Sequence, residues 1–152
     1  MSFVQRITFP APLDYVTPPF PSLYWPTPVR GPQAYYLYHP SDIWRFTLYW
    51  TFIFYGTVHL ATSGYAVAIQ LFDWAQDSKG RVRGFIGIWI VPAIYLFIAG
   101  IEALIAGSVV GALLGAVYNA GYFRMSTWIP FVWALVNTLV LILSSFAIQG
   151  GL

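Results

Sequence analysis

Residues Phe85–Asn119 read FIGIWIVPAIYLFIAGIEALIAGSVVGALLGAVYN, 35 positions with a single formal charge, Glu102. At about 1.5 Å per residue this stretch makes a helix roughly 52 Å long, against about 30 Å of bilayer hydrocarbon. It is too long for one ordinary span, yet no Asn-Gly, Asp-Gly or Pro-Gly pair marks a turn that would make it two. Pro92 can kink it and Gly100 can bend it. The expectation is one continuous, strongly tilted or bent helix, and three spans in all. A hairpin inside it would give four spans and carry the C-terminus to the other side.

The composition agrees with a bilayer as solvent. Of 152 residues, 59% are hydrophobic and only 8% charged, where a soluble domain carries about 25%. The net charge of +2 comes with no basic run, so nucleic acid is not an expected partner. Cysteine is absent, which excludes disulfides, thiolate catalysis and cysteine-ligated metals. His39 and His59 lie 20 positions apart on different elements, which is not metal-ligand spacing. The glycine repeat lies inside a helix rather than after a strand, so it is no phosphate loop. No nucleophile–base–acid set stands out, and the chain reads as a protein without catalysis or cofactor.

On the N-terminal side, nine of the eleven prolines fall in residues 1–40, a density that prevents helix and favours extended chain. Phe9, Tyr15, Phe20, Tyr24, Trp25, Tyr35, Tyr36 and Tyr38 are interleaved with them. Disordered tails are poor in aromatics, so this one is expected to lie on the bilayer interface or on protein. The first residues lack the apolar core of a cleavable signal, which leaves the first apolar helix as the insertion signal. That helix follows His39-Pro40-Ser41-Asp42, where Ser41 or Asp42 can cap it, and it spans about 44–72. From Phe46 to Phe72 its only titratable group of near-neutral pKa is His59, at the midpoint. The polar loop Asp73–Gly84 carries Lys79, Arg81 and Arg83 against Asp73 and Asp77, and the positive-inside rule places it in the cytosol. The long span covers about 85–119. After a connection at 120–127, with Gly121 as a plausible cap, the last span covers about 128–148, with Pro130 in its first turn. The chain thus divides into a Pro/Tyr-rich tail, 1–40, and an all-α membrane domain, 41–152.

Within the long helix, Ala99, Ala103, Gly107, Gly111 and Gly115, then Asn119, recur every four residues. That spacing puts them on one face, and two overlapping GxxxG units permit close backbone approach. The face can pack against a span of the same chain, a partner helix or a second copy. Glu102 is the pointed residue, because an intramembrane carboxyl is costly and usually faces protein or water. Counted from Arg83 it lies about 28 Å along the helix, near the far interface, while His59 lies near mid-bilayer. Their depths argue against an easy pairing, although His59 is the natural candidate partner.

SDIWRFTLYW from Ser41, leading to the midspan His59, and GAVYNAGYFRMSTWIPFVWALVN from Gly115 resemble the transmembrane protein 170 family over about residues 41–148, closest to fungal members. The resemblance implies a three-span protein of the endoplasmic reticulum and nuclear envelope with a lumenal N-terminus and a cytosolic C-terminus. It also implies a role in shaping the endoplasmic reticulum, or in membrane complexes that move lipid between organelles, and it supplies no catalytic residues. The expected activity is that of an anchoring or stabilising subunit in contact with membrane lipids and a larger membrane-protein partner. The alternative is a subunit of a lipid-modifying enzyme or proton-coupled transporter that uses His59 and Glu102.

Overall fold

A computed structural model of the chain describes residues 11–12, 14–24, 36–76 and 81–148. The element order is β1 (Tyr36–Leu37), α1 (Pro40–Gln76), α2 (Arg81–Ala120), β2 (Met125–Ser126) and α3 (Trp128–Ile148). All three helices are long and apolar enough to cross a membrane, over Pro40–Asp73, Ile88–Ala120 and Trp128–Phe146. The protein is therefore a multi-pass, all-α membrane protein, and the 85–119 stretch is a single helix that runs through Pro92.

Two details differ from the sequence reading. The polar loop is shorter than Asp73–Gly84, because α1 continues to Gln76 and α2 begins at Arg81. Polar residues at a helix end outside the hydrocarbon can stay helical, so charge marks the edge of the bilayer rather than the end of the helix. Lys79 lies outside the described residues, and Arg81 and Arg83 fall in the first turn of α2. The N-cap of α1 is neither Ser41 nor Asp42. The His39 carbonyl accepts the amides of Asp42 and Ile43 at 3.0 and 3.1 Å, which makes His39 the cap and puts Pro40 at the first helical position, where its missing N–H is harmless.

α1 is the central helix. It lies against α2 over much of its length and against α3 on another side, while α2 and α3 scarcely touch. Phe131 of α3 sits beside Trp50 and Phe54, with ring centroids 4.9 and 5.3 Å apart, and Ile129 packs against the cluster that includes Ile43 and Phe46 of α1. α1 and α3 thus start at the same end of the molecule and run parallel. α3, with 21 residues, is roughly 31 Å long and matches a bilayer. α1 and α2, with 37 and 40 residues, reach roughly 55 and 60 Å. In hydrocarbon every hydroxyl needs a partner. Thr47, Thr51, Thr57 and Thr138 find theirs in the carbonyl four residues back, at 2.7 to 2.9 Å.

The most deeply buried cluster lies at one end of the helices. Leu37, Ile43, Phe46 and Met125 form it, with Phe20, Leu114, Tyr118 and Ile129 against them. β1 and β2 close it as an antiparallel pair, Tyr36 opposite Ser126 and Leu37 opposite Met125. The helix α2 ends there in a Schellman turn: the Phe123 amide donates to the Tyr118 carbonyl and the Tyr122 amide to Asn119, with Tyr122 at φ 54°. Gly121 is the cap residue before it. Its lack of a side chain leaves room for the Phe123 ring, which a Cβ would meet at 2.5 Å.

Candidate functional site

The described part of the tail packs on this end of the protein. Phe20 sits among Phe46, Tyr49 and Trp50, with centroids 5.1 to 5.5 Å apart. The Tyr24 carbonyl accepts the Trp128 indole N–H at 2.8 Å, and the Ser22 carbonyl accepts the Thr127 hydroxyl at 2.8 Å. Asp42 is buried, and its carboxylate accepts the hydroxyls of Thr17 at 2.8 Å and Tyr15 at 3.4 Å. Burial first, and the neighbouring Asp42 charge second, push the Tyr15 phenol up to about 12. Arg124 lies over the Tyr36 ring, 4.6 Å from its centre. Asp42, read from sequence as a helix cap, instead fastens the tail. Of the tail's aromatic residues, Phe3, Phe9, Trp25 and Tyr35 lie outside the described residues.

The small-residue face lies against α1. A Cβ on Gly107 would come within 3.0 to 3.2 Å of Leu48 and Thr51, one on Gly111 within 3.0 to 3.2 Å of Trp44, and one on Gly115 within 3.2 to 3.3 Å of Pro40. Each step of four along α2 is matched by a step of four back along α1, as an antiparallel pair requires. Ala99 and Ala103 on the same face are buried. The face is therefore occupied within the chain, and a partner or second copy cannot use it without displacing α1. The opposite side of α2 is bare, with Leu104, Ile105, Val109, Leu113 and Val117 all exposed.

At mid-helix the two polar residues meet. His59 Nε2 lies 3.3 Å from Glu102 Oε2, and His59 Nδ1 lies 2.9 Å from the Tyr55 carbonyl. The Nε2–Oε2 contact is at ion-pair distance, and Oε2 is buried with no hydrogen-bond donor. The depth argument from sequence misjudged this contact. Arg83 lies on a part of α2 that overshoots the bilayer, so counting from it puts Glu102 too deep. Side chains also lean toward their own helix N-terminus. In an antiparallel pair His59 and Glu102 lean toward each other, which closes an axial offset of more than a turn. Tyr55 lies one turn before His59, and its hydroxyl donates to the carbonyl of Asn137, near the middle of α3, at 3.3 Å. The Tyr95 ring stands 6.2 Å from the His59 ring. The polar group thus lies level with the centre of the helix that matches the bilayer. Sequence reasoning named His59, Glu102 and, as a residue able to bond across helices, Asn137, but missed Tyr55, whose bond goes to the main-chain carbonyl of Asn137. An aromatic inside an apolar run signals nothing until the register of three helices is known.

Chemically, the pair can hold a proton, and the α1–α2 seam can hold two helices at close range. Among the described residues no group of three or more His, Cys, Asp or Glu side chains is placed to hold a metal.

The chain matches the family model described as Transmembrane protein 170A/B-like over residues 36–152, from β1 to the end of the chain. A Saccharomyces cerevisiae protein, described as uncharacterized protein YPR153W, is similar at 39% identity over 140 residues, covering 92% of this chain and 91% of the yeast protein. No solved structure matches the chain.

Proposed function

Because this chain belongs to the Transmembrane protein 170A/B-like family, we propose that it is a non-enzymatic multi-pass protein of the endoplasmic reticulum and nuclear envelope. It anchors and stabilises a larger membrane complex, one that passes lipid between organelles or shapes the endoplasmic reticulum membrane. The N-terminus is lumenal and the C-terminus cytosolic, with Lys79, Arg81 and Arg83 on the cytosolic side by the positive-inside rule. The observation that carries this reading is the division of α2 into two faces. One is fully engaged by α1, and the other is a bare apolar stripe on a helix roughly twice the thickness of the hydrocarbon. A rigid hairpin with that outer stripe is suited to hold neighbouring protein and lipid.

The test is purification of the full chain in mild detergent. The wild-type chain is expected in a stoichiometric complex. Val109→Ser/Leu113→Ser/Val117→Ser, which leaves the α1-facing seam intact, is expected to fold and lose the complex. Wild-type protein recovered only as free monomer overturns the subunit role. A glycosylation acceptor at each terminus reads the orientation. The second reading, a subunit of a lipid-modifying enzyme or proton-coupled transporter, is favoured by one observation, the 3.3 Å contact of His59 with Glu102. Loss of cellular function in His59→Ala and Glu102→Gln with assembly intact supports it, and an unchanged phenotype removes it.

A further inference from the structure

We infer that His59 and Glu102 form a proton-binding site at mid-bilayer, with one proton held between His59 Nε2 and Glu102 Oε2. A carbonyl oxygen only accepts, so the 2.9 Å contact of Nδ1 with the Tyr55 carbonyl requires the proton of the neutral ring to sit on Nδ1. Nε2 then offers a lone pair. It faces a carboxyl oxygen 3.3 Å away that is buried and has no hydrogen-bond donor. Two lone pairs held together away from water repel, and an unpartnered buried acceptor is costly. One additional proton resolves both, whether carried as imidazolium against carboxylate or as carboxylic acid against imidazole. Either arrangement leaves the pair without net charge, the condition for lying in hydrocarbon at low cost.

The surroundings fit this stoichiometry. From α1, Tyr55 lies one turn away. From α2, Tyr95 stands beside the His59 ring. α3 carries no titratable side chain at all. No second carboxylate or base from these elements competes for the proton. The two halves of the site differ in exposure to the surrounding hydrocarbon: the Glu102 side chain is 41% exposed and that of His59 14%. The consequence for the fold is a polar latch on the α1–α2 hairpin, level with Ala99 and Ala103 of the small-residue seam. The inference rests on neither the anchoring nor the transport reading, and its failure leaves both standing.

The test uses the full chain, labelled with nitrogen-15 histidine, in lipid nanodiscs. The His59 spectrum is expected to show a protonated Nδ1 and an Nε2 engaged with a proton donor. Glu102→Leu is expected to shift Nε2 to the position of a free lone pair while Nδ1 keeps its proton. Glu102→Gln, whose carboxamide donates to Nε2, is expected to keep both the engagement and the stability of the wild type. A His59 ring protonated on Nε2 with a bare Nδ1 overturns the inference, as does an Nε2 signal identical in wild type and Glu102→Leu. Stability gives a second readout. His59→Phe and Glu102→Leu each strand one polar group and are expected to lower the folding equilibrium constant about tenfold. The double variant His59→Phe/Glu102→Leu strands neither and is expected to lie above the product of the singles, whereas simple additivity overturns the latch.

Discussion

The α1–α2 seam allows one substitution to be read against its own control on the same helix. An alanine at Gly111 places its Cβ 3.0 Å from the Trp44 Cα and 3.2 Å from the Trp44 carbonyl oxygen. Favourable carbon–carbon separation is about 3.5–4.0 Å, so α1 and α2 must part by about 0.5 Å. A rotamer change could move only Trp44 Cδ1, also at 3.2 Å; the other two atoms, the nearest included, are backbone. Parting the helices loosens Gly107 against Leu48 and Gly115 against Pro40 as well. Overpacking of this kind costs about 1–3 kcal/mol, and the gain in helix propensity from glycine to alanine returns at most about 1 kcal/mol. The net expectation for Gly111→Ala is a loss of about 1 kcal/mol, with a larger loss for Gly111→Leu. At Gly100 a Cβ meets nothing within 4 Å, so Gly100→Ala keeps the propensity gain and is expected to be neutral or stabilising by up to about 1 kcal/mol. The two variants should therefore differ by about 2 kcal/mol, roughly thirtyfold in the folding equilibrium constant. Reversible unfolding in mixed micelles measures this directly. If Gly100→Ala and Gly111→Ala shift stability together, the seam is not a close backbone contact and the packing account is wrong.

Two further outcomes follow from the closed end of the bundle. Tyr15 is neutral when docked and its phenol is raised to about 12. Its contribution to tail docking is therefore whole below pH 10 and lost as pH rises toward 12, so protease cleavage within 14–24 should increase over that interval and Tyr15→Phe should remove the dependence. Tyr122 is a non-glycine residue at φ 54° and mostly exposed, so Tyr122→Gly should stabilise the protein by about 0.5–1 kcal/mol, read as a higher Tm.

What the sequence disclosed was set by periodicity and solvent. An apolar run with no turn residues has one low-energy answer in a bilayer, and 85–119 is accordingly one helix. The four-residue spacing of Gly107, Gly111 and Gly115 likewise showed that a close-packed face exists. Which helix fills that face is a tertiary fact, since Pro40, Trp44 and Leu48 carry no mark of it. The pairing of Tyr36–Leu37 with Met125–Ser126 joins two dipeptides about 90 positions apart, too short for any strand pattern to register. His59 and Glu102 were legible as residues but not as a pair. Depth counted along one helix takes no account of where its neighbour starts, nor of the opposite lean of side chains on antiparallel helices.

The bond from the Trp128 indole to the Tyr24 carbonyl, and that from Thr127 to Ser22, join residues 104 and 105 positions apart. Each joins the beginning of the chain to the beginning of its last helix. Two points that touch lie on one side of a bilayer, so the chain between them crosses an even number of times. With α1 and α2 each crossing once, α3 ends on the far side. The bonds also impose an order in time. When Tyr24 emerges during synthesis, the groups it will bind are still more than a hundred residues from being made. Phe20, Tyr15 and Thr17 have their partners once α1 is made, but Ser22 and Tyr24 must wait through the insertion of two helices. Docking of Tyr24 and pairing of β1 with β2 are then late steps of assembly, completed only when the third helix has begun.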